Sequence, residues 1–165
     1  MDVFEHRPDV PLLDRVKIQA EVLVPLIKGL EAELGKERAH ELVRGSLSDY
    51  YRGMANDLVT GRGSLGAIQA FGEVSADGDA IDIEMRDLSA ESMAFDITGC
   101  RYAQFFQQMG EPELGFLLVC SADFPITDGI PGVELQRTQT IMQGADHCDF
   151  RYRFLPDELA PPTAP

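Results

Sequence analysis

From residue 12 to residue 34 the apolar positions Val16, Ala20, Leu23, Ile27, Leu30 and Leu34 recur at steps of four and three, one face of an α-helix. Pro25 inside this run predicts a bend, because it cannot donate to the preceding turn. Gly35 ends the run. A second helix is predicted over residues 36–58, with Ala39, Val43, Leu47, Tyr50, Met54 and Leu58 as its buried stripe. With almost no loop between them, the two helices are expected to pack as an antiparallel pair. Gly61 and Gly63 mark a loop, and residues 65–71 suggest a short third helix.

The period then changes from near four to two. Ile81, Ile83 and Met85 alternate with Asp82, Glu84 and Arg86, and Met93, Phe95 and Ile97 alternate with Ala94, Asp96 and Thr98. That pattern predicts two half-buried antiparallel strands. Residues 100–109 return to helix. Pro112 suits the first position of another helix, which should reach Cys120. Residues 124–131, with Pro125, Gly129 and Pro131, are expected to be a loop. Residues 133–142 and 148–154 read as two further strands joined by residues 143–147. The predicted fold class is α+β: an N-terminal antiparallel helix pair packed on an antiparallel sheet of about four strands interrupted by two helices. Residues 1–154 are expected to form a single domain, helical over about 12–71, with the sheet over about 79–154. The proline-rich tail of residues 155–165 is expected to be disordered.

A chain of 165 residues can bury a real core. The net charge of −14 argues against nucleic acid and against anionic membrane surfaces, since phosphate binding needs a basic stripe. No apolar run approaches the roughly 20 residues of a membrane span. The expected partner is a small-molecule substrate, and a homo-oligomer through the helical half is compatible with the acidic surface. Three cysteines make an odd number without a disulfide framework. With no signal-peptide pattern at the start, reduced thiols in the cytoplasm are the expectation.

Those cysteines hold the candidate chemistry. Cys100 falls at a strand-to-helix junction, where unpaired N–H groups and neighbouring Arg101 would lower a thiol pKa. Cys120 precedes Asp123 by three positions, so the two share a face if the helix persists. Cys148 belongs to the apolar face of its strand with Phe150, Tyr152 and Phe154. His147 belongs to the opposite face unless it is still in the turn. Arg137 follows Val133 and Leu135 onto the apolar face, and an inward arginine needs an acidic partner or a substrate carboxylate. A strand edge with a bulge would explain the same break in alternation. Each cysteine has a plain reading as a small core residue. No glycine-rich phosphate loop, paired CxxC, HExxH or GxSxG occurs.

The ordered run Cys100, then Gly110-Glu111-Pro112-Glu113-Leu114, Cys120-Ser121-Ala122-Asp123, Arg137-Thr138-Gln139-Thr140, Gly144 and Cys148-Asp149-Phe150 resembles the L-2-amino-thiazoline-4-carboxylic acid hydrolase family over about residues 79–154. The resemblance implies a hydrolase that opens a small nitrogen- and sulfur-containing ring, by attack of water or a thiolate on the amidine-like carbon. It implies Cys100, Cys120, Asp123 and Cys148 as catalytic residues or as ligands of a divalent metal such as zinc. Arg137, Thr140 and His147 would bind substrate. The ending from Gly144 to Phe150 is also similar to vinyl-4-reductase-type modules, which implies a non-catalytic small-molecule-binding or sensor domain as the alternative. Thr140 stands where those modules would have a thiol.

Overall fold

A computed structural model describes residues 10–155. The proposed tail lies outside the described residues from position 156 onward, as do the first nine residues. The element order is α1 (Leu12–Leu34), α2 (Lys36–Val59), α3 (Gly63–Ala76), β1 (Ile81–Leu88), β2 (Ser92–Cys100), α4 (Arg101–Met109), α5 (Pro112–Leu118), α6 (Asp123–Asp128), β3 (Val133–Gln136) and β4 (Cys148–Phe154). Two 3-10 turns, Cys120–Ala122 and Ile141–Gln143, precede α6 and β4. The fold is α+β, with the N-terminal helices preceding one four-stranded antiparallel sheet of order β1-β2-β4-β3. Among the described residues no helix is long and apolar enough to cross a membrane.

Gly35, at φ 81°, makes the sharp turn between α1 and α2 that a side chain would strain. His40 Nε2 lies 2.7 Å from Glu31 Oε1 across this hairpin, so the buried imidazole has a partner. The face of α2 differs from the predicted stripe. Tyr50 is exposed, and Tyr51 turns inward, its hydroxyl donating to the Leu118 carbonyl at 2.9 Å. Gly129 allows α2 to approach the end of α6, since a Cβ there would fall 2.5 Å from that of Ala55.

The sheet packs one face against the helices. Met93 and Ile97 of β2 join Cys148, Phe150, Tyr152 and Phe154 of β4 in the core with Ile68 and Ile126. Phe95 and Phe150 are register partners, and their rings stack 5.1 Å apart.

Four expected elements need correction. The third helix is longer at both ends. Strand β1 is not half-buried: Ile83, Met85 and Leu88 are exposed, because β1 is an edge strand beyond the cover of the helical layer. Residues 124–131 are not wholly loop, for α6 begins at Asp123 and runs to Asp128. Pro125 lies in its first turn, where a missing N–H costs nothing. The predicted strand over residues 133–142 stops at Gln136. Beyond it, the Thr138 and Gln139 amides donate to the Asp149 carboxylate at 2.8 and 2.9 Å instead of joining a ladder.

Candidate functional site

The site forms where the short helices meet the covered face of the sheet. Asp123 starts α6, and Arg137 follows the end of β3 and turns inward. They form a buried ion pair. The guanidinium also donates to the Cys120 carbonyl at 2.9 Å. Three rings surround it: Phe124, Phe150 and Phe116, with centroids 5.1, 5.5 and 5.8 Å from Arg137 Cζ. Such faces stabilise a cation that has lost its water. The expected partner of the inward arginine is therefore Asp123, from within the chain.

Burial pushes the Asp123 carboxyl up to about 7, against the opposing pull of Arg137. With both groups out of water, the cost of desolvating the carboxylate exceeds what one guanidinium returns. The result is a carboxyl that changes protonation near neutrality, as a general base or acid requires. Burial also raises Tyr51 to about 12 and pushes Tyr152 up, so both phenols near the pair stay neutral.

The three thiols lie near enough to this pair for the charge of Asp123 to act on each. Cys100 closes β2 and caps α4, its Sγ accepting from the Ala103 amide at 3.4 Å. Its pKa is raised, which reverses the expectation from its helix-end position: burial outweighs the bonds from Ala103 and Tyr102. Burial places Cys120 well above its ordinary value and Cys148 at about 11. Cys148 Sγ accepts from the Ile141 amide at 3.3 Å. All three are neutral thiols in the closed protein. Cys120 and Asp123 do not share a regular helical face, because the 3-10 turn at Cys120 separates α5 from α6.

Thr140 and His147 stand apart. Thr140 is buried, and its hydroxyl caps the turn Ile141–Gln143, accepting from the Gln143 amide at 3.2 Å and donating to Gln143 Oε1 at 3.0 Å. His147 is in the turn before β4 and is bonded to Asp146, 2.6 Å from Nδ1, and to Gln139. Asp149, the middle residue of the Cys148-Asp149-Phe150 motif, holds the segment after Arg137 from the far face of the sheet. Its Oδ2 also accepts from the Thr138 hydroxyl at 2.6 Å. Partial burial acts to raise its pKa, and the hydrogen bonds from Thr138 and Gln139 outweigh it, leaving it below the usual carboxylate range.

A zinc does not fit these donors. Among the described residues no three His, Cys, Asp or Glu side chains group to hold a metal. Of the four candidates, Asp123 is engaged by the Arg137 guanidinium.

Outside this centre, a groove of about 420 Å³ is lined by Gln107, Pro112, Glu113, Phe116, Met142, Gln143 and Gly144. Phe116 is common to both: it lines the groove, and its ring centroid lies 5.8 Å from Arg137 Cζ. The aromatic enclosure escaped sequence reasoning. Phe150 showed only as a core position of its strand, and no spacing linked Phe116 or Phe124 to Arg137.

Two solved structures are similar to the chain in outline. The phenol-responsive sensory domain of the transcription activator PoxR, crystallised with phenol, is 14% identical with a TM-score of 0.49, covering 80% of this chain and 72% of that one. Trafficking protein particle complex subunit 3 from Naegleria fowleri, covalently bound to palmitic acid, is also 14% identical, with a TM-score of 0.44, covering 86% of this chain and 99% of that one. No curated protein sequence matches the chain. The sequence profile of one family matches residues 15–152, a span that includes the helical half as well as the sheet. Because that match covers most of the chain and contains the whole Asp123–Arg137 centre, the protein belongs to the L-2-amino-thiazoline-4-carboxylic acid hydrolase family.

Proposed function

We propose that the protein hydrolyses a small zwitterionic heterocycle of the 2-amino-thiazoline carboxylate class at the Asp123–Arg137 pair. The observation that carries this reading is a largely buried carboxyl with a pKa of about 7 beside a guanidinium held by three rings. A buried ion pair is costly to break by removing one partner, but a ligand with both charges can replace each partner in turn. The substrate carboxylate would take Arg137, and Asp123 would be released to accept a proton from water.

Water oxygen then bonds to the ring carbon between nitrogen and sulfur, and the carbon–sulfur bond breaks. Asp123 returns the proton to the departing sulfur, so one carboxyl acts first as base and then as acid. The product is N-carbamoyl-cysteine, which accounts for every atom of substrate and water. Water activated by Asp123 is favoured over a thiolate nucleophile, since burial keeps all three cysteines neutral.

The test is incubation of the purified protein with L-2-amino-thiazoline-4-carboxylate, following the free thiol released and the product mass. Asp123→Asn should lower kcat/KM by about 10²–10⁴, the range for loss of a general base. Cys100→Ser, Cys120→Ser and Cys148→Ser should each retain turnover. Loss of turnover in a folded serine variant would return the nucleophile to that thiol. Calorimetric binding without product would replace hydrolysis with the ligand-binding alternative.

A further inference from the structure

The Asp123–Arg137 pair is almost closed to solvent, and its guanidinium is the more enclosed of the two groups. Arg137 is 4% exposed and Asp123 15%. Any ligand must therefore move a wall, and the structure distinguishes two aromatic walls. Phe124 covers Arg137 from the surface side, being itself 37% exposed. Phe116 covers it from the groove. The second lines a preformed groove whose volume lies within the range of small-molecule sites.

We propose that this groove is the way in to the buried pair, and that Phe116 is the specificity-determining wall that a substrate displaces. The inference rests on the zwitterionic-heterocycle reading and gives that substrate its route. Glu113 at the rim carries a carboxylate that now pairs with Lys36 at 2.5 Å and that the cationic amidine end of the substrate would compete for, and Gln107 and Gln143 complete the polar lining. The Phe116 ring supplies a face on which a planar ring stacks. Once that ring swings aside, the guanidinium behind it is exposed to the trailing carboxylate.

The surroundings allow that motion. The facing wall is the turn Ile141–Gln143, which is not part of the sheet. It is fastened by the Thr140 cap, by Gln107 Nε2 donating to the Ile141 carbonyl at 3.1 Å, by the Ile141 amide donating to Cys148 Sγ at 3.3 Å and by its own backbone turn bonds, without a strand ladder. Segments held by a few side-chain bonds open more readily than laddered strands. Met142 on this turn is a flexible side chain that can refill the space as Phe116 moves. Beside Phe116, α5 itself is held in place: a Cβ at Gly115 would fall 2.6 Å from Phe106 and from Met142 Sδ, so the backbone already sits hard against them.

The experiment is arginine modification of the native protein with phenylglyoxal, mapped residue by residue by mass spectrometry. Phe116→Ala should make Arg137 react about tenfold faster through easier local opening, with Phe116→Leu intermediate. Exposed Arg153 serves as the internal reference. Phe124→Ala should leave the Arg137 rate near wild type. An equal or larger acceleration in Phe124→Ala, or none in either Phe116 variant, overturns the proposal. So does a matching acceleration at buried Cys148 toward iodoacetamide, which would report general unfolding. Phe116→Leu carries the test if Phe116→Ala does not fold. The outcome is independent of turnover: faster Arg137 modification without hydrolysis leaves the route standing and removes the proposed reaction, and the reverse result removes the route alone.

Discussion

The two faces of the sheet each hold a carboxylate bound to arginine, and the protein treats them in opposite ways. On the solvent face, Asp96 of β2 is covered by Arg86 and Arg151, each 2.7 Å away, whose side chains remain 51% and 40% exposed. Hydrogen bonds from Arg151 and then Arg86 hold the Asp96 carboxyl below its ordinary value. On the helix face, Asp123 has one arginine, itself enclosed by rings, and its pKa rises to about 7. The same pairing holds one carboxyl in its charged form at neutral pH and leaves the other titrating near neutrality. The partners decide between them: Asp96, itself only 7% exposed, meets two half-exposed arginines whose charge costs little to supply, whereas Asp123 meets a single guanidinium that is itself enclosed and cannot offset the desolvation of the carboxylate.

The largest expected effect tests this contrast by removing one charge from the dry pair. Asp123→Ala leaves a buried guanidinium that cannot lose its proton, and should cost roughly 3–5 kcal/mol in urea denaturation. Arg137→Met should cost less, because Asp123 can take up a proton and become neutral. Asp96→Asn on the solvent face should change stability least of the three. A loss for Asp96→Asn as large as for Asp123→Ala would break the comparison.

The next effect is the opposite pH dependence of the two carboxyls. Asp123 has a folded pKa of about 7 against an ordinary 3.8, so the folded state binds its proton more tightly between those values. Its contribution to stability is complete below 3.8, declines as pH rises and levels off above about 7. Asp96, with a lowered pKa, contributes above its ordinary value and loses that contribution as pH falls. Melting temperatures of Asp123→Asn and Asp96→Asn, each subtracted from wild type across this range, should therefore slope in opposite directions. If hydrolysis is confirmed, kcat/KM should rise through about pH 7 and lose that step in Asp123→Asn.

The smallest effect sharpens the comparison through the residue that joins the two faces. Asp149 lies on the solvent face, yet its bonds hold Thr138 and Gln139 just beyond the buried Arg137. Asp149→Ala should cost about 1–3 kcal/mol, the range for charged hydrogen bonds and stranded amides. Its mark as a positioning residue is a faster reaction of Arg137 with phenylglyoxal, which simple loss of surface charge would not produce.

Periodicity along the chain was enough for the helix pair, the antiparallel strands and the α+β class, because each repeats its local geometry several times. It failed where one residue broke a pattern that the fold absorbed. Pro125 and Gly129 read as loop, yet the first sits in a tolerated helical position and the second lets α2 approach α6. Alternation in β1 correctly showed which residues share a face, but not that the helices end before covering it. Thr140 and His147 carried family spacing, and the structure engages them in a turn cap and in bonds to Asp146 and Gln139.

The sequence by itself pointed Arg137 inward, toward an anion, by continuing the alternation of Val133 and Leu135, and left a bulged strand edge as the other explanation. It also determined that three thiols and Asp123 belong to one ordered set of motifs. Only the tertiary structure decided which anion Arg137 meets, and that the meeting place is dry. Asp123 lies 14 positions away on a different element, and the enclosing rings come from α5, α6 and β4. The desolvation that lifts one carboxyl to near neutrality is a property of that assembled enclosure, which no local spacing encodes.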